Sequence, residues 1–163
     1  MTSEQVPIVV IGTGLIGKRH IQHILSEPRT RLSAIVEPGP NGPAAAQELG
    51  VPHFGSIEDL IAAHASGAIQ VAGAIVGTPN ATHVQLGMIL LAAGIHCLVE
   101  KPLSTTVDDG RQLVAAAKGS NAKLLVGHHR RFNPHIRTLK SIIDRGDLGE
   151  SMYCTSYKLR YLS

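Results

Sequence analysis

Only two cysteines occur in 163 residues, Cys97 and Cys154, and they form no C-x-x-C pair. That spacing argues against a disulfide framework, a metal knuckle and a dithiol redox motif, and leaves both as reduced thiols. No apolar run approaches the roughly 18 residues that a membrane span needs, and the opening Met1-Thr2-Ser3-Glu4-Gln5 lacks the basic segment of a secretory signal. The expectation is a soluble cytoplasmic protein without a membrane partner. Charged residues make up only 17%, and the formal charge of +3 is spread along the chain instead of forming a stripe, so nucleic acid is not an expected partner. There is no internal repeat and no low-complexity segment. His20, His23, His53, His64 and His96 show no metal-ligand spacing and are read as structural, and no metal is expected.

What is present is apolar. Hydrophobic residues reach 44%, enough to offset the conformational entropy of folding, and the length suits one α/β domain with a real core. Apolar runs of strand length, at 7–11, 32–36, 51–54, 71–76, 95–99 and 123–126, alternate with helical periodicity at 15–25, 44–49, 57–64, 81–93, 107–118 and 134–144. This alternation predicts a doubly wound α/β fold, a mainly parallel sheet with helices on both faces. Punctuation supports it. Ser56 with Asp59 reads as a capping box, Asn80 as the cap of the 81–93 helix, and Thr105 or Thr106 as the next cap. Gly50 and Gly94 read as helix terminators, and Pro134 as a helix entry. A further strand is expected at 151–159; its unpaired edge predicts self-association, with a homo-oligomer as one outcome.

Gly12-Thr13-Gly14-Leu15-Ile16-Gly17 is G-x-G-x-x-G. In a glycine-rich chain the pattern alone is weak, but it follows the first strand and opens the first helix, as a dinucleotide site of the Rossmann type requires. Gly12 permits the tight turn, Gly14 lets backbone approach a pyrophosphate, and Gly17 lets the helix pack on the sheet. Glu37 lies 20 residues beyond Gly17, just after the second strand. A carboxylate there accepts hydrogen bonds from ribose hydroxyls and repels a 2′-phosphate, and Pro38-Gly39-Pro40 offers no arginine in compensation. NAD is therefore favoured over NADP. A methyltransferase-type nucleotide site is a smaller alternative, with a different glycine pattern.

Three further segments follow strands: Gly77-Thr78-Pro79-Asn80 with His83, Glu100-Lys101-Pro102, and the run from Gly127 to Pro134. Singly, they read equally well as a turn, a solvated loop and a wet basic surface. In order with the glycine turn, they resemble the Gfo/Idh/MocA oxidoreductases from about Val6 to Gly149; the fourth motif of that order is Arg131-Phe132-Asn133-Pro134. The resemblance implies a Rossmann domain over 1–149 and, at 150–163, the start of a second α+β substrate domain that the chain does not complete. It implies that Lys101 is catalytic, orienting a substrate hydroxyl beside the nicotinamide and assisting its proton loss. It also implies that Thr78, Pro79, Asn80 and His83 line the dinucleotide, with Gly77, Glu100 and Arg131 among the cofactor-binding residues, and that the Lys101-Pro102 peptide is cis. His128-His129-Arg130-Arg131 either presents donors to substrate or cofactor phosphate or faces solvent.

The family's D-x-x-x-H segment, whose histidine is usually the general acid/base, is absent from these residues. The resemblance thus implies an NAD(P)-dependent oxidoreductase acting on a sugar, cyclitol or related polyol, of which this chain supplies the dinucleotide-binding part. Two alternatives stay open: a non-catalytic dinucleotide-binding or regulatory protein, and a subunit that completes its site with another chain.

Overall fold

In the computed structural model, which describes residues 5–150, the apolar runs become six strands: β1 (Val6–Ile11), β2 (Thr30–Val36), β3 (His53–Phe54), β4 (Gly73–Val76), β5 (His96–Val99) and β6 (Leu124–Val126). They lie in the order β3-β2-β1-β4-β5-β6, every pairing parallel. A parallel strand covered on both faces must be apolar throughout. Val9, Val10, Ala34, Ile35, Val76 and Val99 are accordingly buried. The chain winds outward from β1 to β3, then returns past β1 to start β4. That reversal opens a crevice between β1 and β4 at the strands' carboxyl ends, the place where open α/β sheets bind ligands.

Helices α1 (Leu15–Ser26), α2 (Gly42–Leu49), α3 (Ile57–Ala65), α4 (His83–Ala92) and α5 (Val107–Gly119) connect the strands. On one sheet face, Ile21 and Ile24 of α1 and Ala46 of α2 pack on Val10, Leu32 and Ile35. On the other, Leu60 of α3, Leu90 of α4 and Leu113 of α5 pack on Val9, Ile11, Val36 and Val76. Successive side chains of β1 serve opposite cores, as the twofold period of a strand demands. Burial of these residues contributes about 25 cal/mol per Å² of apolar surface removed from water.

Cap chemistry marks the starts of α3 and α5 and the end of α2. The Ser56 hydroxyl accepts the Asp59 N–H at 3.1 Å, and the Thr106 hydroxyl accepts the Asp109 N–H at 3.2 Å. Gly50 ends α2 in the left-handed region at φ 67°. Asn80 differs from expectation. The chain enters α4 through a 3-10 turn at Asn80–Thr82, α4 begins only at His83, and Asn80 makes no side-chain cap bond. The reason lies in Thr82, whose hydroxyl donates to the Pro79 carbonyl at 2.8 Å and pairs with the Thr78 hydroxyl at 2.7 Å, tightening that first turn. A bulge in β2 is also invisible to pattern reading: the pairing of β1 with β2 slips between Ile8 and Val9, leaving Ser33 as the extra residue.

The chain divides into two compact units between Gly127 and His128. The second holds a 3-10 turn (His129–Phe132) and helix α6 (Pro134–Asp144). Asn133 Oδ1 accepts from the His135 N–H at 2.9 Å, a cap that the sequence reading missed beside the proline. The strand expected at 151–159, with the association it implied, and Cys154 lie outside the described residues. Among the described residues no helix is long and apolar enough to cross a membrane.

Candidate dinucleotide site

Each strand on the site passes one more backbone bond to its neighbour before turning away. Gly12 N–H donates to the Val36 carbonyl, Gly77 N–H to Ile11, Glu100 N–H to Val76 and Gly127 N–H to Val99, all at 2.8–3.0 Å. The loops therefore begin at one level along the sheet edge, and residues far apart in sequence meet there.

Gly12 turns the chain at φ 87°, a region L side chains rarely adopt. Gly17 has a different constraint: a Cβ there would lie 1.9 Å from the Gly12 carbonyl oxygen, so only glycine lets α1 start this close to β1. Gly14 is the N-cap of α1, supplies no side-chain cap and has nothing within 4 Å of where a Cβ would stand. The first turn of α1 thus has no capping side chain and no acidic residue. That is the chemistry of an anion cradle: unpaired donors and the positive end of the helix dipole. Leu15 projects from the turn, 93% exposed, while Ile16 is half-buried against Gly77.

Glu37 stands at the end of β2, beside this cradle. Its Oε2 accepts both the N–H and the hydroxyl of Thr13, each at 2.8 Å, and its Oε1 accepts the Gly39 N–H at 3.0 Å. Partial burial by itself raises the carboxyl pKa. The hydrogen bonds from Thr13 and Gly39, with the charge of the nearby His53 ring, outweigh it and hold the group below its ordinary value. The carboxylate is thus ionised and held in place by three protein donors before any ligand arrives.

Across the crevice, Gly77 and Thr78 follow β4, with Pro79 and Asn80 exposed beyond them. His83, grouped with the lining residues on sequence, sits beneath that loop instead, 1% exposed. Its Nδ1 lies 2.8 Å from the Pro102 carbonyl oxygen and its Nε2 3.0 Å from that of Thr78. Both ring nitrogens are occupied by backbone, so the ring ties the loop after β4 to the loop after β5 and does not face the crevice.

The loop after β5 carries Glu100, buried, and Lys101, exposed, ahead of a cis Lys101-Pro102 peptide. Glu100 Oε1 lies 2.8 Å from His20 Nε2, and its Oε2 accepts the Lys101 N–H at 3.2 Å. His20, read on sequence as structural, is the partner of Glu100. Its available signal was its place three residues after Gly17, one turn along α1 on the same side. Arg131, with His128 and His129, belongs to the second unit and is exposed there.

A six-stranded doubly wound parallel sheet with a glycine turn between β1 and α1, and a helix N-terminus with no side-chain cap, is a Rossmann-type α/β fold. Residues 6–128 match the Gfo/Idh/MocA oxidoreductase family, NAD-binding Rossmann fold, and the chain belongs to that family. It is 33% identical over 152 residues to an inositol 2-dehydrogenase of Corynebacterium glutamicum (strain R), covering 91% of this chain and 44% of that relative. An inositol 2-dehydrogenase of Rhizobium meliloti (strain 1021) is 30% identical over 141 residues, covering 86% and 41%. Among solved structures, the WlbA dehydrogenase from Bordetella pertussis in complex with NADH and UDP-GlcNAcA superposes with a TM-score of 0.83 at 27% identity, covering 91% of this chain and 42% of that one. The chain thus spans about two fifths of the length of these relatives.

Proposed function

We propose that this chain is the cofactor-holding part of an NAD-dependent dehydrogenase that oxidises a secondary alcohol of a sugar, cyclitol or related polyol. The observation that carries the reading is the joint geometry of the cradle and Glu37. The first turn of α1 has no capping side chain, and Thr13, just ahead of it, is bonded to the fixed carboxylate of Glu37. These residues fit a dinucleotide: the amides and helix dipole hold a diphosphate, and Glu37 accepts from the hydroxyls of the adenosine ribose. When bound, the nicotinamide supplies the hydride acceptor.

In this reading Lys101 orients the reacting hydroxyl and helps move its proton. Its exposure at the carboxyl end of β5 leaves the ammonium free to meet a substrate. Gly77, Thr78, Pro79 and Asn80 form the opposite wall, and Ile16 and Leu15 offer apolar contact. Glu37 selects NAD because a 2′-phosphate would meet a carboxylate that its hydrogen bonds keep ionised. The inositol and nucleotide-sugar dehydrogenases among the relatives support the substrate class.

The test is calorimetric titration of the chain with NAD and NADP, beside a Glu37→Ala variant. NAD is expected to bind the unsubstituted chain tighter than NADP, and the variant to lose that preference. Equal or tighter NADP binding would remove the assignment of NAD, and silence with both nucleotides would remove the function. Nucleotide binding without polyol-dependent NADH formation would favour a regulatory role for the same fold.

A further inference from the structure

Glu100 is 7% exposed, and a carboxylate taken out of water is costly unless its oxygens are partnered. Both are. His20 Nε2 on α1 meets Oε1 at 2.8 Å, and the Lys101 N–H donates to Oε2 at 3.2 Å. The end of β6 is shaped to the same group: a Cβ on Gly127 would come within 2.8 Å of Oε1, 2.9 Å of Cδ and 3.0 Å of Oε2. Three separate parts of the chain, 80 residues apart at the His20 contact, converge on one carboxylate whose second oxygen holds the backbone of Lys101.

We infer that His20 is a positioning residue for Lys101, acting through Glu100. The helix whose first turn cradles the dinucleotide is thereby connected to the loop carrying the lysine by two consecutive hydrogen bonds. His20 also shares a side of α1 with Gly17, the residue that sets how closely the helix packs against the turn. A shift of α1 on ligand binding is felt at Glu100, and Glu100 passes it to the Lys101 amide. Without the imidazole, Oε1 loses its partner, the carboxylate is free to rotate toward water, and the Lys101 amide is released with it. The inference rests on the reading of Lys101 as the proton-handling residue.

Amide hydrogen exchange followed by NMR tests the link on the chain as it exists. In the unsubstituted protein, saturating NAD is expected to slow exchange of the Lys101 amide. His20→Ala is expected to speed that exchange about tenfold, the size expected for losing a hydrogen bond to a charged group, and to abolish the response to NAD. His20→Gln keeps an N–H donor at similar reach and is expected to restore both. Amides of β1 and β4 serve as the control. Unchanged Lys101 exchange in His20→Ala, or an increase of equal size throughout the control strands, would overturn the inference. The lysine reading is tested separately by Lys101→Met, through the polyol-dependent rate of NADH formation. An unaltered rate there would sink the lysine reading, whereas unaltered amide exchange would sink the His20 link, so the two failures are distinguishable.

Discussion

The two sides of the crevice hold their loops by different means. On the β1 side the chain braces itself over a few residues. Gly12 and Gly17 touch backbone to backbone, and Thr13 of the same turn reaches Glu37. On the β4 and β5 side no glycine turn does this work. His83 bridges the Thr78 and Pro102 carbonyls, and His20 reaches Glu100 from a different element. The loop after β1 is shaped by the absence of side chains. The loops after β4 and β5 are shaped by buried polar side chains that lie against their carbonyls and a carboxylate.

That contrast can be broken by experiment. The largest effect is expected at Gly17→Val, where the new side chain has no room beside the Gly12 carbonyl. A loss of about 3 kcal/mol or more, with loss of NAD binding, should appear in urea denaturation and calorimetry. A variant that folds and binds normally would show that the β1 side does not depend on backbone contact. Next comes His83→Ala, which empties a buried site and takes away the ring that lies between two backbone carbonyls, at a cost of about 2–3 kcal/mol. If the turn and Glu37 are independent of it, NAD affinity should fall much less than stability does.

The smallest effect is the pH dependence of Glu37. Because its folded-state pKa lies below the ordinary value, the folded protein binds that proton less readily than the unfolded chain. The stability it contributes is fully present above the unfolded carboxylate pKa and is lost as pH falls through the folded one. Unfolding curves for the unsubstituted protein and Glu37→Gln should therefore converge in acid and separate toward neutrality. A constant difference between them would mean that the Thr13 and Gly39 bonds do not favour the ionised group.

Cys97 marks another boundary of the functional region. It lies in the middle of the sheet, 1% exposed, and burial pushes its thiol up to about 11. Such a group is a small apolar filler and not a nucleophile.

Much of this architecture was legible from residue order alone. The apolar runs that became β1, β2, β4 and β5 are continuous because both faces of a parallel strand are covered. Ser56, Thr106, Gly50 and Gly94 announced helix ends through chemistry local to a single turn. The glycine turn and Glu37 were readable because their spacing is counted along one strand-helix-strand unit. Asn80 misled the reading, since a residue good at capping was overruled by a neighbouring threonine that tightened the turn. The slip at Ser33 left no trace, because a bulge adds one residue without altering composition.

Sequence by itself therefore determined the layered fold, the glycine turn and the place of the acid that follows β2. Only the tertiary structure decided that His83 lies under its loop and that His20 belongs with Glu100. Periodicity reports which face of an element is buried, but not which side chain from another element will meet it there. That pairing depends on strand order and helix placement, which bring together residues that no spacing rule connects.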